Sequence, residues 1–288
     1  AHAADLHGLE QVREEAECQG YSCADGPIGV PEERVPGDTL GVPTPVFDPG
    51  GRSLVPFYQA LEATARKERK TRIVIYGASH VAGDILFRGF RRRLKDRYGD
   101  AGPGFVVPAY PWRDYNNRDV KISYTRDRWD SWWVSKKHSR EDGLYGLAGV
   151  AFTSADKRAS VRVATASRGK YGRTGSLLDV FYWKTRRGGD LLVEIDQGRV
   201  KKVKTRARRP GPGYASYQLD DVAHEVVLKP RGNGSVHLFG LSLERDVPGI
   251  VVDTMGVNGA RASAQLAWDP RLFAEHLTRR KPDLVILA

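Results

Sequence analysis

The chain has 288 residues, of which 40% are hydrophobic, so it holds enough apolar material for a packed core and is not globally disordered. No stretch approaches the roughly 18 uninterrupted apolar residues of a transmembrane helix, and no membrane span is predicted. The 46 Lys and Arg residues against 35 Asp and Glu give a formal net charge of +11, which favours anionic partners, but without a zinc-finger, RNP or basic-region motif no nucleic-acid partner is predicted.

Residues 1–54 are rich in Pro, Gly and acidic residues, which predicts an extended N-terminal arm with little regular structure. The arm contains the two cysteines of the chain, Cys18 and Cys23, whose spacing fits neither a metal site nor a redox motif. We interpret them as a small disulfide loop of an exported protein, with free thiols as the alternative. The chain begins at Ala1 without Met or an apolar signal core, which is typical of a processed, exported protein in the periplasm, cell envelope or extracellular space.

Residues 55–110 show the pattern of an α/β unit. A helix is predicted over 54–70, followed by the apolar, β-branched run 73–76, which indicates a strand buried on both faces. From His80 an apolar stripe predicts one helix to Tyr98, with Asp84 in its first turn, where a carboxylate is favourable. The result is a strand, a sharp turn that contains Ser79, and a helix.

Residues 111–245 show short β-type runs every ten to fifteen residues, separated by turn signals. This spacing predicts a β-sandwich or jelly roll. Trp132 and Trp133 are adjacent in a predicted strand and must face opposite ways, so one is expected in the core and the other at the surface or on a sugar. The basic run 201–209 is predicted to be a solvated edge that could attract an anionic polymer.

Residues 246–288 return to the α/β pattern. They predict a buried strand at 250–252, a Gly-rich loop, a helix over 269–280 and a second buried strand at 283–287. The fold class predicted from the whole chain is therefore α/β, interrupted by an all-β insertion. Because 283–287 is predicted as a central strand of a parallel sheet, we expect a C-terminal continuation or a second chain to complete that sheet.

Four segments resemble one enzyme class. Residues 76–84, Tyr-Gly-Ala-Ser-His-Val-Ala-Gly-Asp, resemble the first sequence block of SGNH (GDSL-type) hydrolases, in the Gly-Asp-Ser-His-x-x-Gly-Asp form of bacterial peptidoglycan O-acetylesterases. Residues 98–106, 253–260 and 282–287 are similar to later segments of the same group. The resemblance spans 54–288 and implies a flavodoxin-like, three-layer parallel sheet with a carbohydrate-binding-module-like jelly roll inserted in it.

The resemblance also implies site residues. Ser79 would be the nucleophile and its N–H one oxyanion donor, whereas a serine at a helix start is otherwise most often a cap. Gly256 would supply a second oxyanion N–H, and the alternative is a plain turn glycine. Asn258, Trp132 and Trp133 are the predicted substrate-binding residues. No metal and no cofactor are implied.

Two departures from the family pattern bear on activity. Ala78 replaces the usual Asp before the nucleophile. The family's third-block Asn, and the Asp-x-x-His that supplies the base and its orienting acid, would follow Ala288. None of the remaining histidines is predicted to replace that base; they are His80, His138, His224, His237 and His276.

The predicted function is that of an exported bacterial serine esterase that removes O-acetyl groups from a glycan, with peptidoglycan as the leading substrate. It would form an acyl-enzyme at Ser79 and release acetate by attack of water. Two alternatives use the same scaffold. One is a glycan-binding protein without activity, which the missing base and Ala78 favour, and the other is an O-acetyltransferase.

Overall fold

The computed structural model describes residues 48, 50–113, 115–134 and 139–288. Most of the predicted N-terminal arm, with Cys18 and Cys23, lies outside the described residues, and so does His138. The helices are α1 (Val55–Ala65), α2 (Ser79–Ala82), α3 (Phe87–Tyr98), a 3₁₀ helix (Ala262–Ala267) and α4 (Pro270–Arg280).

The strands fall into two groups along the chain. The first and last parts contribute β1 (Lys70–Gly77), β13 (Gly249–Gly256) and β14 (Leu284–Leu287). The intervening strands are β2 (Gly104–Val106), β3 (Val120–Tyr124), β4 (Asp130–Trp133), β5 (Val150–Ser154), β6 (Val161–Thr165), β7 (Gly175–Lys184), β8 (Asp190–Ile195), β9 (Lys201–Lys204), β10 (Gly211–Val222), β11 (Glu225–Pro230) and β12 (Val236–Glu244).

β1, β13 and β14 form a parallel sheet with β1 in the middle, in the order β13-β1-β14. The predicted strand at 73–76 is confirmed, because all four of its residues are buried. Its side chains alternate between two cores: Ile73 and Ile75 face a cluster that includes residues of α1 and α3, and Val74 and Tyr76 face the larger core.

The other strands build two antiparallel sheets, with the orders β10-β7-β12-β5-β4 and β3-β6-β11-β8-β9, and β2 pairs with β12. Inward and outward residues alternate as expected for sheets with one face in a core: on β6, Val161 and Val163 are buried and Arg162 between them is exposed. Buried residues of both sheets belong to one hydrophobic cluster. This arrangement is consistent with the jelly roll predicted for the middle of the chain.

The predicted fold class, a flavodoxin-like α/β protein, is wrong for the described chain. Eleven of the fourteen strands in the described residues lie in the two antiparallel sheets, and the parallel sheet holds three. The error has a physical origin: the α/β pattern at the two ends of the chain is a local property, whereas most of the larger core is built by the antiparallel sheets, which pair distant segments. The division into 55–110, 111–245 and 246–288 stays a prediction.

The predicted helix over 269–280 is confirmed as α4. Its N-cap is Asp269, whose carboxylate accepts a hydrogen bond from the Leu272 N–H at 2.8 Å. β14 is an outer strand of the described three-stranded sheet, and a central position of 283–287 in a completed sheet stays a prediction. Val285 is 42% exposed and Leu287 is 71% exposed.

A buried ionic cluster joins α4 to both kinds of sheet. Arg280 on α4 lies 2.7 Å from Asp253 on β13 and 2.7 Å from Glu244 on β12, and Arg72 on β1 lies 2.8 Å from Glu244. Burial alone would raise the pKa of Glu244, but Arg280 and Arg72 lower it to about 2. Losing one partner would leave a buried charge uncompensated, so this cluster holds the parallel sheet against the sandwich.

Candidate active site

The carboxyl ends of the three parallel strands meet at one edge of their sheet. Gly77 at the end of β1 lies opposite Gly256 at the end of β13, and the N–H of Val257 donates to the Gly77 carbonyl at 2.9 Å. On the other side the N–H of Ala288 donates to the Tyr76 carbonyl at 2.9 Å. In open parallel sheets, ligands bind outside this edge, where neighbouring connections diverge.

Ser79 lies at this edge as the first residue of α2, two residues after β1 ends. Its side chain is exposed, and no hydrogen bond to its hydroxyl is formed by the described residues. The N-cap of α2 is Ala78, so the interpretation of Ser79 as the helix cap is not supported. The backbone N–H of a first helical residue has no acceptor within the helix and is available to an anion. An exposed hydroxyl beside such a donor suits nucleophilic attack on a carbonyl.

Gly256 packs against α2 so closely that no other residue fits. A Cβ at this position would lie 2.0 Å from the backbone nitrogen of Ala82 and 2.6 Å from its Cα. Gly256 thereby sets the distance between the end of β13 and the helix that carries Ser79. The structure gives this residue a packing role, and its role as an oxyanion donor stays a prediction.

Asn258 lies in the turn that follows β13. The turn closes through the Ala260 N–H, which donates to the Val257 carbonyl at 3.1 Å, and Gly259 adopts a φ of 73°. The positive φ assigns the turn-glycine role to Gly259 and not to Gly256. Asn258 is half-buried at the same sheet edge as Ser79, and its contact with substrate stays a prediction.

The single helix predicted from His80 to Tyr98 is wrong, because the chain breaks between α2 and α3. Asp84 adopts a φ of 52° in this break, and its buried carboxylate pairs with Arg91 on α3 at 2.7 Å. Burial would lower the pKa of Arg91, but Asp119 and Asp84 raise it above its usual value. Asp84 therefore fixes α3 and is not an acid in a first helical turn. The break also turns Ile85 outward, 78% exposed.

Trp132 and Trp133 lie on β4 and are both half-buried. The ring of Trp133 meets Trp112 edge-on at 5.8 Å, and the guanidinium of Arg140 lies 5.8 Å from the ring of Trp132. The alternation of the strand places Trp133 on the face of Ser131 and Trp132 on the other face. Neither contact tests the predicted role in substrate binding.

No histidine among the described residues forms a hydrogen bond with Ser79. His80 follows it in sequence and is exposed. His224, in the connection between β10 and β11, pairs with Asp196 at 2.5 Å, and His276 is enclosed among aromatic rings of the core. The described part of the chain contains no group of three or more His, Cys, Asp or Glu side chains placed to hold a metal ion. It also has no helix long and apolar enough to cross a membrane.

The sequence analysis missed a set of aromatic side chains in the loop between β2 and β3. The ring of Tyr115 packs between those of Tyr110 and Trp112, and its centroid lies 6.0 Å from each of theirs. The loop then meets the Ser79 helix, because the Asn116 N–H donates to the Ala82 carbonyl at 3.2 Å. The sequence feature that could have indicated this aromatic set is the density of aromatic residues in a loop that contains Pro111.

No family model matches the chain, and no curated protein matches it. Among solved structures, one described as a peptidoglycan O-acetylesterase in action superposes with a TM-score of 0.62 at 22% identity, covering 81% of this chain and 59% of that one. A family two carbohydrate esterase from Cellvibrio japonicus superposes with a TM-score of 0.27 at 18% identity, covering 58% of this chain and 51% of that one. TmCBM61 in complex with β-1,4-galactotriose gives 0.28 at 13% identity, covering 44% and 88%.

The first of these similarities establishes a shared fold with a peptidoglycan O-acetylesterase. This chain spans less than two thirds of the length of that esterase. The other two superpositions are too weak to support a conclusion.

Proposed function

We propose that this chain is part of a serine esterase that removes O-acetyl groups from a glycan, with Ser79 as the nucleophile. The observation that carries the proposal is the position of Ser79: an exposed hydroxyl at the start of α2, directly beyond the central parallel strand. The resemblance of residues 76–84 to the SGNH nucleophile block and the shared fold with a peptidoglycan O-acetylesterase support it. The net charge of +11 suits an acidic glycan of the cell envelope as the substrate.

The reaction proceeds in two steps. The Ser79 Oγ attacks the acetyl carbonyl carbon while its proton passes to a base, and the sugar oxygen leaves with a proton to give an alcohol. Water then attacks the acyl-enzyme and releases acetate and free Ser79. The N–H groups of Ser79 and Gly256 are the proposed donors to the oxyanion of each tetrahedral intermediate. The family resemblance assigns the base to an Asp-x-x-His motif C-terminal to Ala288.

A glycan-binding protein without esterase activity is the second candidate. Two observations favour it: no described histidine forms a hydrogen bond with Ser79, and Ala78 provides no carboxylate beside the nucleophile. The two candidates share the glycan ligand and differ only in whether the Ser79 hydroxyl reacts.

Labelling of the native full-length protein with a fluorophosphonate probe separates the candidates. We expect Ser79 to be the labelled serine, because only an activated hydroxyl reacts readily. The Ser79→Ala variant should lose about 10⁶-fold in acetate release from O-acetylated peptidoglycan, as expected when a nucleophile is removed from a catalytic set. Ser263→Ala is the matched control, because Ser263 is also exposed but lies in the 3₁₀ helix.

Near-native acetate release by Ser79→Ala would show that the nucleophile is misassigned. If the wild-type protein neither labels nor hydrolyses any acetyl ester, the glycan-binding candidate replaces the esterase. A loss of activity in Ser263→Ala equal to that in Ser79→Ala would indicate general misfolding.

A further inference from the structure

An open cleft of about 550 Å³ lies where the β2–β3 loop meets strands β3 and β4. We call it the aromatic cleft. Its volume is in the range of sites that hold small ligands. Its lining includes Tyr110, Trp112, Arg113, Tyr124, Arg126 and Ser131.

Flat aromatic rings form the walls of the aromatic cleft and support one another. Tyr110 is 37% exposed, and its ring lies 5.8 Å from that of Tyr124 and 6.0 Å from that of Tyr115. Trp112 is held edge-on by Trp133. The indole N–H of Trp112 finds no acceptor among the described residues. Rings held in this way present apolar faces at little entropic cost, and the apolar face of a sugar ring fits against them.

The rim of the aromatic cleft is polar, and its described charged residues are two arginines and one aspartate. Arg113, Arg126 and Asp127 are exposed, and within the described residues neither arginine forms an ion pair. Among the described lining residues, these two guanidinium groups and one carboxylate favour a ligand that carries negative charge. Ser131 adds a hydroxyl that can donate to or accept from a sugar hydroxyl.

The loop that forms one wall is fixed to the helix of Ser79. Besides the bond from Asn116 to Ala82, Asp119 at the end of the loop lies 3.1 Å from Arg91 on α3. Asn116 lies four positions after Trp112 in the sequence, and Ala82 lies three positions after Ser79, so Trp112 lies within about 25 Å of Ser79. An oligosaccharide of several rings spans such a distance.

We propose that the aromatic cleft is a glycan-binding subsite that holds sugar rings of a carboxylate-bearing glycan, away from the ring that Ser79 deacetylates. This inference rests on the proposed glycan substrate. It adds the site at which the sugar rings outside the deacetylated ring bind. Tyr110, Trp112 and Tyr124 stack on the rings, and Arg113 and Arg126 meet the carboxylates.

Titration calorimetry of the 288-residue chain tests the subsite without requiring turnover. The probes are a hexamer of β-1,4-linked N-acetylglucosamine and a soluble peptidoglycan fragment whose muramic acid residues carry free carboxylates. Tyr110→Ala should weaken binding of both probes by about fivefold to tenfold, as expected for the loss of one stacked ring. Arg126→Ala should weaken only the carboxylated probe, by about twofold to fivefold.

Two controls keep this test separate from the esterase proposal. Ser79→Ala should bind both probes as tightly as the wild type, so loss of esterase activity leaves the subsite result intact. Tyr171→Ala removes a half-buried tyrosine outside the aromatic cleft and should leave both affinities unchanged. The subsite is refuted if the wild type binds neither probe at millimolar concentration. The subsite is also refuted if Tyr110→Ala and Tyr124→Ala both bind the probes with wild-type affinity while each keeps a native circular dichroism spectrum.

Discussion

His276 gives the fold a pH dependence whose size follows from its surroundings. The side chain is fully buried on α4, and its ring meets Phe181 and Phe239 at 5.3 Å and Tyr214 at 5.8 Å. Neither ring nitrogen has a hydrogen-bond partner among the described residues. An imidazole in this position is accommodated only in its neutral form, because a charge there would lose its hydration without compensation.

Burial, aided by the positive charge of Arg279, lowers the pKa of His276 from 6.5 to about 4. Between these two values the unfolded chain binds a proton that the folded chain does not, so stability rises with pH over this window. The stabilisation present at pH 7 falls by about 2 kcal/mol at pH 5 and by about 3 kcal/mol at pH 4.

Chemical denaturation of the wild type and His276→Phe between pH 4 and pH 8 measures this contribution. Phe keeps an aromatic ring in the pocket but does not titrate, so the difference in free energy of unfolding should shift by about 3 kcal/mol in favour of the variant as the pH falls to 4. A constant packing cost of the larger ring cancels in this comparison. His80→Gln is the control, because His80 is exposed. Parallel pH profiles of the wild type and His276→Phe would refute the reasoning.

Two further predictions concern the backbone at the candidate site and a second histidine. Gly256→Ala should lower the free energy of unfolding by about 1–3 kcal/mol and reduce acetate release, because its Cβ would lie 2.0 Å from the nitrogen of Ala82. The control Gly89→Ala, where nothing lies within 4 Å, should be neutral or stabilising in urea denaturation, and equal losses in both variants would contradict the packing role of Gly256. Burial would lower the pKa of His224, but hydrogen bonds to a backbone carbonyl and to Asp196 raise it above 6.5. The stabilisation from charged His224 should therefore be complete below pH 6.5 and disappear as the pH rises through the raised pKa. The free energy of unfolding of His224→Gln, measured by chemical denaturation over the same pH range, should not show this decrease.

Several elements near the candidate site could be predicted from local pattern. The apolar run at 73–76 indicated β1, and the apolar residues on one side of 269–280 indicated α4. Ser79 was placed between a buried strand and a helix by residues that are its immediate neighbours in sequence. Such elements are predictable because side-chain periodicity and capping act within one or two turns of chain.

The fold class could not be obtained in the same way. The pattern at the two ends of the chain indicated an α/β protein, but most strands pair in antiparallel sheets. Local pattern also suggested one helix across Asp84, where the pairing of its carboxylate with Arg91 stabilises a break with a positive φ. The error in fold class arose because pairing between distant strands outweighed the local pattern. The error at Asp84 arose because an ion pair between residues only seven positions apart outweighed the helical preference.

The sequence by itself determined where Ser79 lies relative to a strand and a helix, because that arrangement depends on consecutive residues. Only the tertiary structure decided that Gly256 touches Ala82 and that Tyr110, Trp112 and Tyr124 surround a single cleft. These residues come from segments that meet through sheet pairing and core packing. Periodicity reports which side of an element is buried, but it carries no information about which other element covers that side.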